Sequence, residues 1–313
     1  MKQILILQTR PGIGDLCIFL SSIHEIAKKN LDKEIILVTK KRTRAREILK
    51  NDKLIKKIVF IDEEIYISGN GFFSNFQKLK DFICKNCFSE AFIMHYGLRY
   101  KLACRLGGIK KIYSYPLFKK KDNISKKIYE QTKLWLNVDS YNRNANIHLV
   151  ESNETKKNKI VIGIGSSGIT RRWDNKKFVS VINFLNQKEN FHFLIAGGKS
   201  EILNANKIIS NVSKNIKIDS MCDYNIDKIL NKIENSLFYF GTDSAFMHLS
   251  AAIKIKSFPL FGDTPTNYAE YSDYISPILP VGFKKVSHNS DAMHLIDDKK
   301  VCEVLEDFLK ISA

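Results

Sequence analysis

Short apolar runs alternate with helix-spaced segments along nearly the whole chain, and this alternation restricts the fold more than any other feature. In the first half the runs are Gln3–Leu7, Glu34–Val38, Ile58–Ile61 and Glu90–Met94. Between them the apolar residues recur at helical spacing in Asp15–Lys29, Arg42–Leu49, Ser74–Cys87 and Leu98–Leu106. Strands that are apolar almost throughout are covered on both faces, which is the pattern of a parallel sheet with helical crossovers. The text turns polar at ESNETKKN, Glu151–Asn158, and then the alternation restarts. Strands are expected at Lys159–Ile164, Phe191–Ala196, Ile216–Asp219, Leu237–Phe240 and Ser257–Phe261. Helices are expected at Asn175–Leu185, Glu201–Val212, Asp227–Glu234 and Ser244–Ile253, with a last one at Lys299–Leu309.

The reading is therefore α/β, with two Rossmann-like doubly wound domains facing each other across a cleft. Residues 1–150 form the first domain and residues 151–298 the second. Residues 299–313 form a C-terminal helix expected to pack back on the first domain. The chain's 313 residues suffice for two such cores. No apolar run reaches the ~18 residues of a membrane span, and the apolar start is too short for a signal peptide. The expected location is cytoplasmic.

Lys and Arg number 50 against 33 Asp and Glu, a net charge of +17. Such a field favours polyanionic partners: nucleic acid, an anionic membrane face or phosphorylated substrates. It concentrates in KKRTRAR, Lys40–Arg46, and KKKDNISKK, Lys119–Lys127, without the aromatic interleaving of RNA-binding sheets. The six cysteines are scattered, and Cys84 and Cys87 form a lone pair inside a helical pattern. Without a second pair they read as buried free thiols rather than as a zinc or redox site. No paired-carboxylate metal motif occurs, so no metal is expected.

Three strand-to-helix loops are rich in small and polar residues, and ligands of such sheets bind at those loops. In GTDSAFMH, Gly241–His248, Asp243 or Ser244 can cap a helix whose remaining N–H groups attract an anion. His248 lies one turn further in, where a lone helical histidine is ordinarily a satisfied core or surface residue. In GIGSSGITRRW, Gly163–Trp173, Ser166 and Ser167 offer hydroxyls and Arg171 a fork of donors for phosphate. Together these two loops read as a diphosphate cradle. TRPGIGD, Thr9–Asp15, carries the opposite charge: Asp15 is either an N-terminal cap or a general base.

RPGIGDL, HYGLRYKLACRLGGIKKIYSY, SSGITRRW, FLIAGGKSE and GTDSAFMHLSAA ahead of SFPLFGDT, in that order, resemble the ADP-heptose:lipopolysaccharide heptosyltransferase family, glycosyltransferase family 9. The resemblance implies the two-Rossmann GT-B architecture and a metal-independent, inverting glycosyl transfer. It implies Asp15 as the catalytic base and a donor held by Ser166, Ser167 and Arg171, the arginine standing where a lysine is usual. Asp243, Ser244, Ala245 and His248 match the donor-binding DTGxxH element, with Ser-Ala in place of Thr-Gly. Tyr224 falls at an adenine-contacting position and Glu201 near a ribose-binding glutamate. Arg10, His95 and Arg99 are acceptor-side candidates. The implied partners are a nucleotide-sugar donor, ADP-linked, as substrate rather than cofactor, and an acidic glycolipid acceptor. Peripheral contact with the anionic inner face of the cytoplasmic membrane is expected, and no nucleic acid. Two other readings remain: a sugar-nucleotide epimerase or hydrolase on the same fold, and a basic nucleic-acid-binding protein.

Overall fold

In the computed structural model the chain divides into two compact units, Met1–His148 and Leu149–Ala313. The structure describes residues 2–66, 71–117, 123–150, 158–166 and 168–312. In the first unit the strands are β1 (Gln3–Leu7), β2 (Glu34–Thr39), β3 (Lys57–Phe60), β4 (Glu90–Ile93) and β5 (Lys111–Ser114). Its helices are α1 (Ile13–Lys28), the single turn α2 (Ala45–Ile48), α3 (Phe72–Asn86), α4 (Leu98–Leu106) and α5 (Ile124–Leu136). The second unit contains β6 (Lys159–Gly163), β7 (His192–Ala196), β8 (Lys217–Ser220), β9 (Phe238–Thr242) and β10 (Lys256–Leu260). These alternate with α6 (Asn175–Lys188), α7 (Ile202–Asn211), α8 (Ile226–Glu234), α9 (Ala245–Ala252) and α10 (Asp298–Ser312).

Both sheets are parallel, in the orders β3-β2-β1-β4-β5 and β10-β9-β6-β7-β8. Numbered from its own first strand, each unit therefore has the order 3-2-1-4-5. The winding direction reverses between the first and fourth strands, β1 and β4 in one unit and β6 and β9 in the other. Crevices for ligands open at such switch points, beyond the carboxyl ends of the strands. The central strands explain the apolar runs: Ile4, Leu5, Ile6 and Leu7 are wholly buried, as are Phe238, Tyr239 and Phe240.

One strand and one helix go beyond the sequence reading. β5 is an edge strand whose four residues are exposed or half-buried, so KIYS carries no strong apolar signal. α5 lies partly within the basic stretch KKKDNISKK; Lys119–Asp122 of that stretch lie outside the described residues. The expected helix Arg42–Leu49 is interrupted at Arg44, whose φ of 55° is left-handed, leaving a 3-10 turn and then α2.

The C-terminal helix corrects a further expectation. It is part of the second unit, with Val301, Cys302 and Leu305 of α10 in that unit's core. Its Glu306 accepts from Lys188 of α6 at 2.9 Å. Of the cysteines, Cys17, Cys104, Cys222 and Cys302 are buried, but Cys84 and Cys87 are exposed; all six are free thiols.

Candidate functional site

In the second unit the switch point is built by two glycines facing each other. Gly163 of β6 is in register with Gly241 of β9. Gly241 has φ of +143°, and a Cβ there would stand 2.1 Å from the Gly163 carbonyl oxygen. A Cβ on Gly163 would meet the Tyr239 hydroxyl at 1.8 Å. Only glycine fits at either place. The Tyr239 hydroxyl donates to the Thr242 carbonyl at 2.7 Å and lies 3.3 Å from Ser244 Oγ. The Thr242 hydroxyl donates to the Gly165 carbonyl, fastening the loop after β9 to the loop after β6.

This bracing bears on how α9 begins. Ser244 is the N-cap residue, but its side chain makes no capping bond. The side-chain cap expected from GTDS is therefore not formed. The first N–H groups of an eight-residue helix, with its dipole, remain directed at whatever occupies the crevice. Ser244, Ala245 and Asp243 are each partly exposed there. Burial pushes the Asp243 carboxyl above its usual range, against the opposing charge of Arg171.

Arg171 ends a 3-10 turn, Ile169–Arg171, in the loop after β6. Thr170, beside it, donates to Asp263 Oδ2 at 2.7 Å, and the Asp291 N–H donates to Asp263 Oδ1 at 3.0 Å. Burial acts to raise the Asp263 carboxyl, but these bonds and the Arg171 charge hold it below the usual range. Asp263, in the loop after β10, thus anchors the arginine-bearing loop. The sequence reading lacks this residue, although FGDT repeats the strand, small residue, acid pattern of GTDS. Ser166 donates to the Gly168 carbonyl at 2.8 Å. Ser167 lies outside the described residues.

Glu201 and Tyr224 lie further along the same edge, after β7 and β8. The Glu201 carboxylate accepts from the Gly198 N–H at 2.9 Å and the Ser200 hydroxyl at 2.8 Å. A Cβ on Gly165 would be 3.9 Å from Glu201 Oε2, so this carboxylate adjoins the β6 loop. Tyr224 is half-buried, and Lys228 Nζ stands 3.7 Å from its ring centroid. His248 lies one turn into α9. It is 5% exposed, stacks on Tyr271 and shares a 2.9 Å hydrogen bond with the Tyr271 hydroxyl. Burial lowers it to about 3, so it is a neutral core residue with a partner of its own.

The first unit has its own polar group at the corresponding switch point. The Gly12 N–H donates to Asp15 Oδ2 at 3.1 Å, and Arg10 Nε lies 3.3 Å from Asp15 Oδ1. Asp15 is the third residue of α1, so it does cap the helix. Both of its oxygens are engaged, yet each carboxylate oxygen retains a further lone pair. His95 follows β4, on the other side of the switch point. Burial and then the charge of Arg10 lower its basicity, with Arg99 and Lys40 adding to the effect. Its ring meets Tyr100 edge-on at 6.4 Å. Arg99 Nη2 donates to the Tyr100 hydroxyl at 2.5 Å. The Arg10 charge therefore faces both Asp15 and His95. Among the described residues, no three His, Cys, Asp or Glu side chains converge as a metal site.

Two doubly wound units in series, the second with an open helix terminus at its switch point, define a GT-B type of architecture. Residues 115–301 match the profile of glycosyltransferase family 9 (heptosyltransferase). The chain belongs to that family. A lipooligosaccharide heptosyltransferase 2 of Campylobacter jejuni is 33% identical over 124 residues, which is 37% of this chain and 37% of the relative. A family 9 glycosyl transferase structure from Veillonella parvula covers 98% of this chain and 97% of its own, with TM-score 0.78 and 13% identity. The E. coli heptosyltransferase WaaC with ADP-2-deoxy-2-fluoro heptose covers 98% and 99%, with TM-score 0.70 and 10% identity. At these identities the two structures share the fold with this chain.

Proposed function

We propose that the protein is an inverting, metal-independent glycosyltransferase that moves heptose from ADP-heptose to a lipopolysaccharide-core or related glycolipid. The observation that carries this reading is the uncapped N-terminus of α9, at the switch point beside the loop of Arg171. It supplies N–H donors and a positive dipole end where a departing diphosphate would gain charge. Arg171 adds a guanidinium able to grip two phosphate oxygens. Loops after β9, β6, β7 and β8 follow one another along one sheet edge. Three strand spacings of ~4.8 Å make a row of about 14 Å. A donor would lie along it with its diphosphate at α9 and Arg171, its ribose toward Glu201 and its adenine toward Tyr224. The ADP-sugar named with the E. coli neighbour supports this choice of donor. The lipooligosaccharide in the relative's name supports the class of acceptor.

In the proposed step an acceptor hydroxyl attacks the anomeric carbon as the bond from that carbon to the diphosphate oxygen breaks. The hydroxyl proton passes to Asp15, and ADP leaves with the bonding pair. One displacement inverts the anomeric centre. Arg10, paired with Asp15 at 3.3 Å, holds the carboxylate oriented. Fixed N–H groups and Arg171 provide the positive field, so the scheme assigns no role to a metal. The test is to incubate the protein with ADP-heptose and a lipooligosaccharide core acceptor in the presence of a chelator. The expected result is one ADP released per heptose added, with inverted anomeric configuration in the NMR spectrum. Donor consumption without acceptor, giving an epimerised or hydrolysed sugar, would contradict it.

A further inference from the structure

Four of the large exposed apolar residues of the first unit gather in a groove between α3 and α4. Phe72 and Phe73 open α3, and they are 58% and 84% exposed. Leu98 and Leu102, one turn apart on α4, are 71% and 52% exposed. With Phe76 they line a groove of about 530 Å³. Its charged lining residues, Arg99, Lys101 and Arg105, are all cations. Neither Lys101 nor Arg105 has an ion-pair partner among the described residues. Large apolar side chains left in water and contiguous in space mark an interaction surface.

The first charge cluster behaves differently. In KKRTRAR, Lys41 pairs with Glu63, Arg44 with Glu47 and Arg46 with Glu64. Much of that charge is neutralised within the protein, so the first basic cluster is a poor membrane contact. The groove has what that cluster lacks: exposed aromatic and leucine side chains, set beside cations that have no ion-pair partner among the described residues.

We propose that the α3–α4 groove docks the protein on the surface of an anionic phospholipid bilayer. Phe72, Phe73, Leu98 and Leu102 enter the boundary between headgroups and acyl chains, and Lys101 and Arg105 meet lipid phosphates. Interfacial helices bind by this combination of apolar insertion and electrostatic attraction. Charge selects this occupant over a second copy of the chain, because two such grooves would bring like charges together without a carboxylate between them. The inference deepens the glycolipid-acceptor reading, on which its purpose rests, but docking itself needs no sugar nucleotide.

The experiment is sedimentation of the full chain with vesicles of equal parts phosphatidylglycerol and phosphatidylcholine, or of phosphatidylcholine alone, without donor. The wild type is expected to bind the anionic vesicles at low salt and the neutral ones much more weakly. Phe73→Ser/Leu98→Ser should lower the partition by about tenfold or more, the scale of two exposed apolar side chains that no longer insert. Lys101→Gln/Arg105→Gln should lower it by about 5-fold per charge removed, and should flatten its salt dependence. Lys41→Gln, at an ion-paired residue of the sequence cluster, should bind like the wild type. All four positions of the two groove variants are exposed, so unchanged thermal unfolding is expected and confirms their fold. Transfer to a deacylated, water-soluble acceptor should be unaffected in both, which separates docking from catalysis. Wild-type binding by both groove variants would overturn the proposal. So would equal binding to neutral vesicles, a lipid-free dimer that Phe73→Ser/Leu98→Ser dissociates, or loss of transfer to the soluble acceptor.

Discussion

Asp15→Asn separates the structural role of Asp15 from its chemical one, because the structure shows what the amide can preserve. The Gly12 N–H donates to Asp15 Oδ2 at 3.1 Å, and an asparagine carbonyl oxygen can accept the same bond. What is lost is the 3.3 Å pair with Arg10, between side chains 28% and 22% exposed, and a negative charge in the first turn of α1. A pair open to solvent contributes about 0–1 kcal/mol, and a first-turn carboxylate about 0.3–1 kcal/mol. Stability should therefore fall by no more than about 2 kcal/mol, a shift of a few degrees in Tm for a chain this size. Loss of a general base costs far more rate, ~10²–10⁴-fold. The assay is single-turnover transfer at saturating ADP-heptose, with ADP affinity measured in parallel by calorimetry. Turnover should fall by two to four orders of magnitude while ADP affinity and Tm barely move. Near wild-type single-turnover rates would reduce Asp15 to a helix cap, and His95, after β4 in the same unit, would become the candidate base.

Three further outcomes follow from the second unit. Arg171→Ala should weaken ADP binding by about 1.5–3 kcal/mol, the scale of a charged hydrogen bond, with Arg171→Lys intermediate; unchanged calorimetric affinity in a folded Arg171→Ala protein would remove Arg171 from the site. Gly241→Ala places a Cβ 2.1 Å from the Gly163 carbonyl oxygen at a left-handed φ. It should cost about 2–6 kcal/mol in denaturant unfolding, from backbone strain and overpacking together; a loss well under 1 kcal/mol would mean the two strand ends are not packed this closely. His248 supplies a pH signature. The unfolded chain takes up its proton near pH 6.5, whereas the folded imidazole, desolvated by burial, refuses it until about 3. The stability that His248 contributes is therefore complete above ~6.5 and is lost as pH falls through that window, by up to ~1.4 kcal/mol per pH unit. In His248→Gln that part of the slope should vanish, and an unaltered pH profile would show that His248 titrates in the folded protein.

The strands were legible where burial is two-sided. Leu5 and Ile6 of β1 and Phe238 and Phe240 of β9 have no exposed face, so apolar character alone marks them. β5 was not, because an edge strand paired only with β4 keeps half-exposed positions, and KIYS looks like loop. The polar loops were legible for the same reason as the strands: small and polar residues between an apolar run and a helix stand out locally. What those residues do depends on partners distant in sequence. Thr170 meets Asp263 across 93 positions, and Lys41 meets Glu63 across 22, so neither the anchored arginine loop nor the neutralised basic cluster shows in composition. Ser244 illustrates a local rule overridden. Its sequence position is that of a capping serine, but Tyr239 engages its hydroxyl and the helix terminus stays open. For His248 the ordinary expectation of a satisfied core histidine describes the geometry, with Tyr271 as the partner.

In the proposed function the carboxyl edge of the second sheet, at α9 and Arg171, holds the diphosphate of an adenine nucleotide. The most direct test is calorimetric titration of the full-length protein with ADP, UDP and GDP, repeated on Ala245→Asp. That substitution puts a carboxylate on the first residue of α9, beside the N–H groups assigned to the diphosphate. ADP should bind more tightly than UDP or GDP, and Ala245→Asp should lower its affinity by tenfold or more (about 1.4 kcal/mol) with the fold intact. ADP binding equally well to Ala245→Asp, or no preference among the three nucleotides, would contradict it.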